Sequence, residues 1–227
     1  MDLAKLRLAR SLYYQCFGEL FVFSFSKQRL AFLNDCLKMM KETSFDENLI
    51  DSFDILIENS KTKLNLFFDE YENLFLSLKN SIPITFSYIE EGFENSRALI
   101  CVREILIKSK IRRNEKFFKE SEDHIGFCFF LMSEFLKLEE DILAKELFEK
   151  VINQSIDEFI ILILENEEAK LYKEVAYILS AFIEFERSCF GLGKNIRNTT
   201  KKVQNDLSRS EFLRREVNKK RRLGEKS

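Results

Sequence analysis

Lys119-Glu120-Ser121-Glu122-Asp123-His124-Ile125-Gly126-Phe127 is the stretch on which the reading of this chain turns: an acidic knot that holds the only histidine and opens directly into the apolar run from Phe127 to Leu138. A serine followed by two acids just ahead of an apolar run reads as a helix start. The Ser121 hydroxyl can accept a backbone N–H, and Glu122 and Asp123 fall where the positive end of the helix dipole favours negative charge. On the residues alone, the knot is a capped helix N-terminus.

Outward from the knot, composition points to helices throughout. With 45% apolar residues and 24 Phe in 227 residues, the chain can bury a sizeable core as one large domain or two small ones. Strands need turns, and turns favour Gly, Pro and Asn-Gly pairs; one Pro and six Gly leave few sites for them. The expected class is therefore all-α. Five cysteines, at 16, 36, 101, 128 and 189, are spread out, lack any Cys-x-x-Cys and share the chain with one His, so no zinc site is expected. Each falls in a predicted helix and reads as a small buried hydrophobe in a reducing compartment. Met1-Asp2-Leu3-Ala4-Lys5 carries an acid and is followed by frequent charges, which fits neither a secretory signal nor an anchor. The longest apolar runs, such as Phe127 to Ser133 and Phe159 to Leu164, fall well short of the ~20 residues of a membrane span. The expected location is the cytoplasm.

Along the chain, apolar residues recur at helical spacing. Residues 3 to 25 form a first helix through Leu6, Tyr13, Phe17, Leu20 and Phe21. Ser26 caps a second with Leu30, Leu33, Leu37 and Met40 on one face. Asp46 and Glu47 open a third with Ile50, Phe53 and Ile57 inward, and Ser60 to Ser77 supplies a fourth through Leu64, Phe67, Phe68, Tyr71, Leu74 and Phe75. The connector from Ser77 to Tyr88 holds the only proline, Pro83, which keeps its predecessor extended. A fifth helix is expected from Tyr88 to about Lys110, with Ile89, Phe93, Leu99, Ile100, Val102, Ile105 and Leu106 inward, and a basic connector follows to the knot. Beyond it, helices are predicted over Phe127–Leu138, Ile142–Ile152, Gln154–Leu164 and Leu171–Phe190. The last carries a stripe of Leu171, Val175, Ile178, Leu179, Phe182, Phe185 and Cys189, and Gly191 and Gly193 stop it.

The segment from Lys194 to Ser227 differs in kind, with twelve Lys or Arg against four acids, about +8, while the chain ahead of it stands at about −10. Two readings stay open for it: nucleic-acid binding, because Lys and Arg displace counterions from phosphate, and association with the chain's own acidic body. No Gly-x-x-x-x-Gly-Lys, Gly-x-Gly-x-x-Gly, His-Glu-x-x-His or Gly-x-Ser-x-Gly is present. Asp123 and His124 are adjacent, so on a helix they would point about 100° apart, and no nucleophile can be assigned to them. No catalytic role, metal or cofactor is expected.

Glu120-Ser121-Glu122-Asp123-His124-Ile125 resembles the Glu-Pro-x-Asp-His-Ile signature of the TorD/DmsD family of cytoplasmic chaperones for molybdenum-cofactor redox enzymes, with serine in place of proline. Tyr71-x-x-Leu74-Phe75, followed by Pro83 and Ser87, is similar to the family's second signature, though a second proline and a tryptophan of the connector are missing. The likeness spans roughly residues 10 to 190. It implies an all-α bundle of about nine or ten helices, with an N-terminal half over 1–111, a hinge over 112–122 and a C-terminal half over 123–190; the basic tail over 191–227 lies beyond what it covers. It also implies a monomer or a domain-swapped homodimer.

Such chaperones bind the twin-arginine signal peptide and the apo form of a molybdoenzyme, delay its export and assist cofactor insertion. A leader pairs a doubly cationic head with an apolar stretch, so its receptor should offer carboxylates beside an apolar groove. The resemblance accordingly implies that Glu122 and Asp123 attract the arginine pair, that His124 orients them, and that Tyr71, Phe75, Pro83, Phe86, Ser87 and Tyr88 form the peptide-binding surface. Plain core packing is the alternative for the aromatics. The client is left open among formate dehydrogenase, a sulfoxide or amine-oxide reductase, and related enzymes. A helical adaptor and a nucleic-acid binder acting through the tail are the rival readings.

Overall fold

The computed structural model of the chain describes residues 3–22, 27–62, 64–77, 81–116 and 118–195. Ser26, the side chains of Leu30 and Leu64, and the basic tail after Asn195 lie outside them. The described residues form α1 (Leu3–Phe21), α2 (Lys27–Glu42), a 3-10 turn (Glu47–Leu49) leading into α3 (Ile50–Thr62), and α4 (Leu64–Tyr71), continued by a π segment (Glu72–Leu76). Then come α5 (Phe86–Glu91), α6 (Arg97–Lys108), α7 (Ile125–Lys137), α8 (Asp141–Leu147), a second π segment (Phe148–Ile152), α9 (Asn153–Leu164) and α10 (Leu171–Phe190). Extended pairing among the described residues is limited to one antiparallel bridge, Thr85 with His124. The all-α class is as expected.

α1 runs through the middle because its sequence is aromatic along one face. Tyr14, Phe17 and Phe21 are buried, with Tyr14 set edge-on to Phe182 at 4.9 Å and Phe21 edge-on to Phe159 at 5.1 Å. Each such ring contributes on the order of 1.5–3 kcal/mol by leaving water. α1 packs most extensively on α7, and two glycines allow the approach. A Cβ on Gly18 would stand 2.6 Å from the Phe130 ring, and one on Gly126 would stand 2.6 Å from Val22 Cγ2 and 3.1 Å from the Phe21 backbone. Hydroxyls meet the carbonyls at the end of α1: Tyr172 donates to Leu20 O at 2.6 Å and Tyr71 to Phe21 O at 3.0 Å. One continuous hydrophobic core extends from α1–α4 to α7–α10.

α10 is fixed at both ends. Glu70 on α4 accepts the N–H groups of Lys170, Leu171 and Tyr172 at 2.7, 3.0 and 2.8 Å, placing a carboxylate where the helix dipole favours one. Gly191, at φ 67°, ends the helix in the left-handed conformation anticipated for it.

Several boundaries differ from the sequence reading. Ser60 lies inside α3 rather than at a helix start, and its hydroxyl bonds back to Ile57 O at 2.9 Å. Ile50 faces out while Leu49 and Leu56 face in. The single helix expected from Tyr88 to Lys110 is two, because Gly92 (φ 78°) and Asn95 (φ 60°) turn the chain; Phe93 and Ile100, expected inside, are 55% and 56% exposed. Phe86 and Ser87, expected in the connector, already belong to α5. Cys189, read as buried, is exposed, and Cys101 is half-buried.

Candidate functional site

The acidic knot joins two distant parts of the chain. The Phe86 N–H donates to Asp123 O and the Ile125 N–H to Ile84 O, both at 3.0 Å, so the Pro83 connector lies against residues 123–125. Asp123 is buried; its Oδ2 accepts the Ser87 N–H at 2.9 Å and its Oδ1 accepts the Ser121 hydroxyl. Thr85, at the N-cap of α5, makes no side-chain cap bond, so Asp123 supplies the acceptor from elsewhere in the chain. Ser87 extends the relay: its Oγ accepts the N–H groups of Ser96 and Leu99 at 3.3 Å each, at the start of α6.

The cap of α7 is His124 and not Ser121. Its Nδ1 accepts the Gly126 N–H at 3.2 Å, and Glu122 and Asp123 form a turn ahead of the helix. Asp123 thus does face a helix N-terminus, as a lone acid should, but that of α5. The His124 ring is buried and set edge-on to Phe118 at 5.4 Å, and Phe118 stacks on Phe127 at 5.2 Å. Burial and the nearby Asp123 push the Cys128 thiol well above its usual range, which fits a packing thiol.

Of Glu122, Asp123 and His124, only Glu122 reaches a surface. Its side chain is 12% exposed at the rim of an open cleft of about 350 Å³, lined by Arg103, Leu106, Ile107, Arg112, Arg113, Glu115 and Glu122. Oε2 accepts from Arg103 Nε at 3.2 Å and Nη2 at 3.1 Å, and Oε1 faces Arg113 Nε at 3.3 Å. Arg113 also donates to the Glu120 carbonyl and pairs with Glu115 at 3.0 Å, while Arg112 donates to the carbonyls of Leu106, Ser109 and Ile111 at the end of α6. The arginines therefore fasten the stretch 112–122 onto α6.

The remaining residues expected at the site are inside the molecule. Tyr71, Phe75, Phe86 and Tyr88 are buried, as are Pro83 and Ser87. Phe75 meets Tyr71 at 4.9 Å and Tyr172 at 5.2 Å, part of the packing between α4 and α10. The expectation that these aromatics line an apolar surface is corrected to core packing, since in this arrangement none of them faces water. The apolar groups that do border Glu122 are Leu106 and Ile107, with Ile100 a further two turns back on the same face of α6. Arg103 and Arg113, missed in sequence, belong beside them. The available signal was the i, i+3, i+7 spacing of Ile100, Arg103 and Ile107.

No group of three or more potential metal ligands occurs among the described residues, and none of the described helices is long and apolar enough to cross a membrane. A sequence profile of the nitrate reductase delta subunit family matches residues 41–163, more than half of the chain. Curated proteins give no match. Among solved structures, a candidate redox enzyme maturation protein from Archaeoglobus fulgidus has a similar fold, with a TM-score of 0.54 and 20% identity over 78% of this chain and 93% of that one.

Proposed function

The chain belongs to the nitrate reductase delta subunit family, which takes in the TorD-like maturation chaperones, and from this premise we propose that it is a chaperone for a molybdenum-cofactor oxidoreductase. It binds the twin-arginine leader and the apo form of its client, holds the client back from export and assists cofactor insertion. Residues 1–111 and 123–190 act as two helical halves joined through 112–122. The observation that carries the reading is Glu122: a carboxylate at the rim of a cleft, already in contact with guanidinium groups and bordered by Leu106 and Ile107. A leader asks for this pairing of anion and apolar wall. Asp123 and His124 act beneath it as positioning residues, holding the turn that presents Glu122; the bonds of Asp123 to Phe86 and Ser87 tie that turn to the buried segment of Pro83 and Tyr88, while Tyr71 and Phe75 support the core farther in, against α10.

The test is titration of a fluorescent twin-arginine peptide. Glu122→Gln removes a charge-assisted contact worth about 1.5–3 kcal/mol, so the Kd should rise by roughly 10- to 100-fold with folding intact. An unchanged Kd would remove this site. Pull-down from cell extract separates the chaperone from an adaptor: a precursor should be recovered, and lost when its leader is deleted.

A further inference from the structure

We propose that Arg103 and Arg113 are an internal stand-in for the leader's arginine pair, occupying the Glu122 carboxylate so that the cleft stays self-blocked until a client displaces them. The inference rests on the twin-arginine reading of that cleft and adds how its affinity is set.

Two guanidinium groups converge on one carboxylate. Both contacts are imperfect. Arg103 places Nε and Nη2 on the single oxygen Oε2, at 3.2 and 3.1 Å, instead of forking across both oxygens. Arg113 Nε faces Oε1 at 3.3 Å, yet its N–H is buried without a hydrogen bond. A carboxylate can accept about four hydrogen bonds and pairs best with a guanidinium that spans its two oxygens. An incoming guanidinium can therefore form a better pair than the one it replaces.

The blocking groups differ in how readily they leave. The Arg103 side chain is 57% exposed and can swing into water, while Arg97 and Lys108 at the two ends of α6 keep partners of their own in Glu90 and Glu146. Arg113 stays anchored to Glu115 and to the Glu120 carbonyl, so displacement begins at Arg103. Its departure opens the cleft along α6 towards Ile107 and Ile100, which are 75% and 56% exposed and lie about 10 Å apart along the helix. Ile100 and Ile107 flank Arg103 on one face of α6, so apolar groups border the carboxylate on either side of the departing side chain.

A site occupied by its own competitor binds with an affinity reduced by the fraction of molecules in which it is free. In the full chain, Arg103→Gln should therefore tighten binding of a fluorescent twin-arginine peptide by about three- to tenfold. Arg103→Lys, which keeps the charge but loses the paired N–H contacts on Oε2, should tighten it less. Arg97→Gln removes the same charge from the same helix without touching Glu122 and should change the Kd by less than about twofold. In a Glu122→Gln background the gain from Arg103→Gln should vanish. Binding unchanged or weakened in Arg103→Gln, or tightened equally in Arg97→Gln, overturns the self-blocking device while leaving the leader site standing. No binding to the parent chain or to any variant overturns both.

Discussion

Glu122 and Glu186 hold guanidinium groups by the same chemistry in opposite surroundings. Glu186 is fully buried between α1 and α10, where Arg10 forks across it at 2.6 and 2.9 Å, the Tyr14 hydroxyl donates to it at 2.9 Å, and the Arg10 guanidinium lies 4.6 Å over the Phe190 ring. Both oxygens are satisfied, and the Arg10 side chain is only 9% exposed. Glu122 sits at a solvent rim, with one partner mostly in water and another lacking a full hydrogen bond. A pair that is sealed and complete can only hold helices together. One that is open and incomplete can be exchanged. Burial and satisfaction, rather than the residue types, separate a fixed ion pair from an exchangeable one.

The sharpest way to break this contrast is to truncate each acid. Glu186→Ala leaves Arg10 charged in the core and should cost about 3–5 kcal/mol, read as a large fall in Tm, while the folded fraction keeps its peptide affinity. Gly126→Ala should cost about 1–3 kcal/mol by forcing a methyl group against Val22 and the α1 backbone, again without altering affinity per folded molecule. Asp123→Asn weakens the charge-assisted cap of α5; a loss of about 1–2 kcal/mol in chemical denaturation is expected, with peptide binding reduced through a loosened turn. Glu122→Gln, by contrast, should change stability by no more than about 1 kcal/mol, as partly exposed pairs do, although it abolishes most peptide binding.

The smallest effect concerns acid. Glu146 bonds to Lys108 at 2.7 Å and Lys150 at 2.6 Å, and these bonds hold its carboxyl below the usual 4.5. A carboxyl whose folded pKa is lowered stabilises fully above its unfolded value and loses that contribution as pH falls through the folded one. Glu146→Gln should therefore lower Tm slightly near neutrality and flatten its fall below about pH 4.5, so that variant and parent converge in acid.

Much of the scaffold was legible in the sequence. α10 spans Leu171–Phe190 as read, because an apolar stripe ends at a glycine that can turn left-handed. The break between α5 and α6 was not legible: Ile89, Phe93, Leu99 and Ile100 continue a plausible helical face, and only the positive φ values of Gly92 and Asn95 reveal that Phe93 and Ile100 turn outward. The knot could be found but not its wiring. Asp123 bonds to Ser87 and Glu122 to Arg103, partners far enough along the chain that no local periodicity connects them. The aromatics of Tyr71-x-x-Leu74-Phe75 were recognisable as a set, and core packing, weighed against a surface role, is where the fold places them.

The thiol of Cys189 opens an experimental route. It lies near the end of α10 and is exposed, whereas Cys16, Cys36 and Cys128 are enclosed; desolvation raises the Cys189 thiol too, as it does theirs, to about 11 at Cys36, so access is what sets Cys189 apart from those three. A maleimide dye should therefore favour that position in the unaltered chain. Its emission would report from the end of α10, turning a residue of no evident mechanistic importance into a built-in attachment point for detecting a client's arrival.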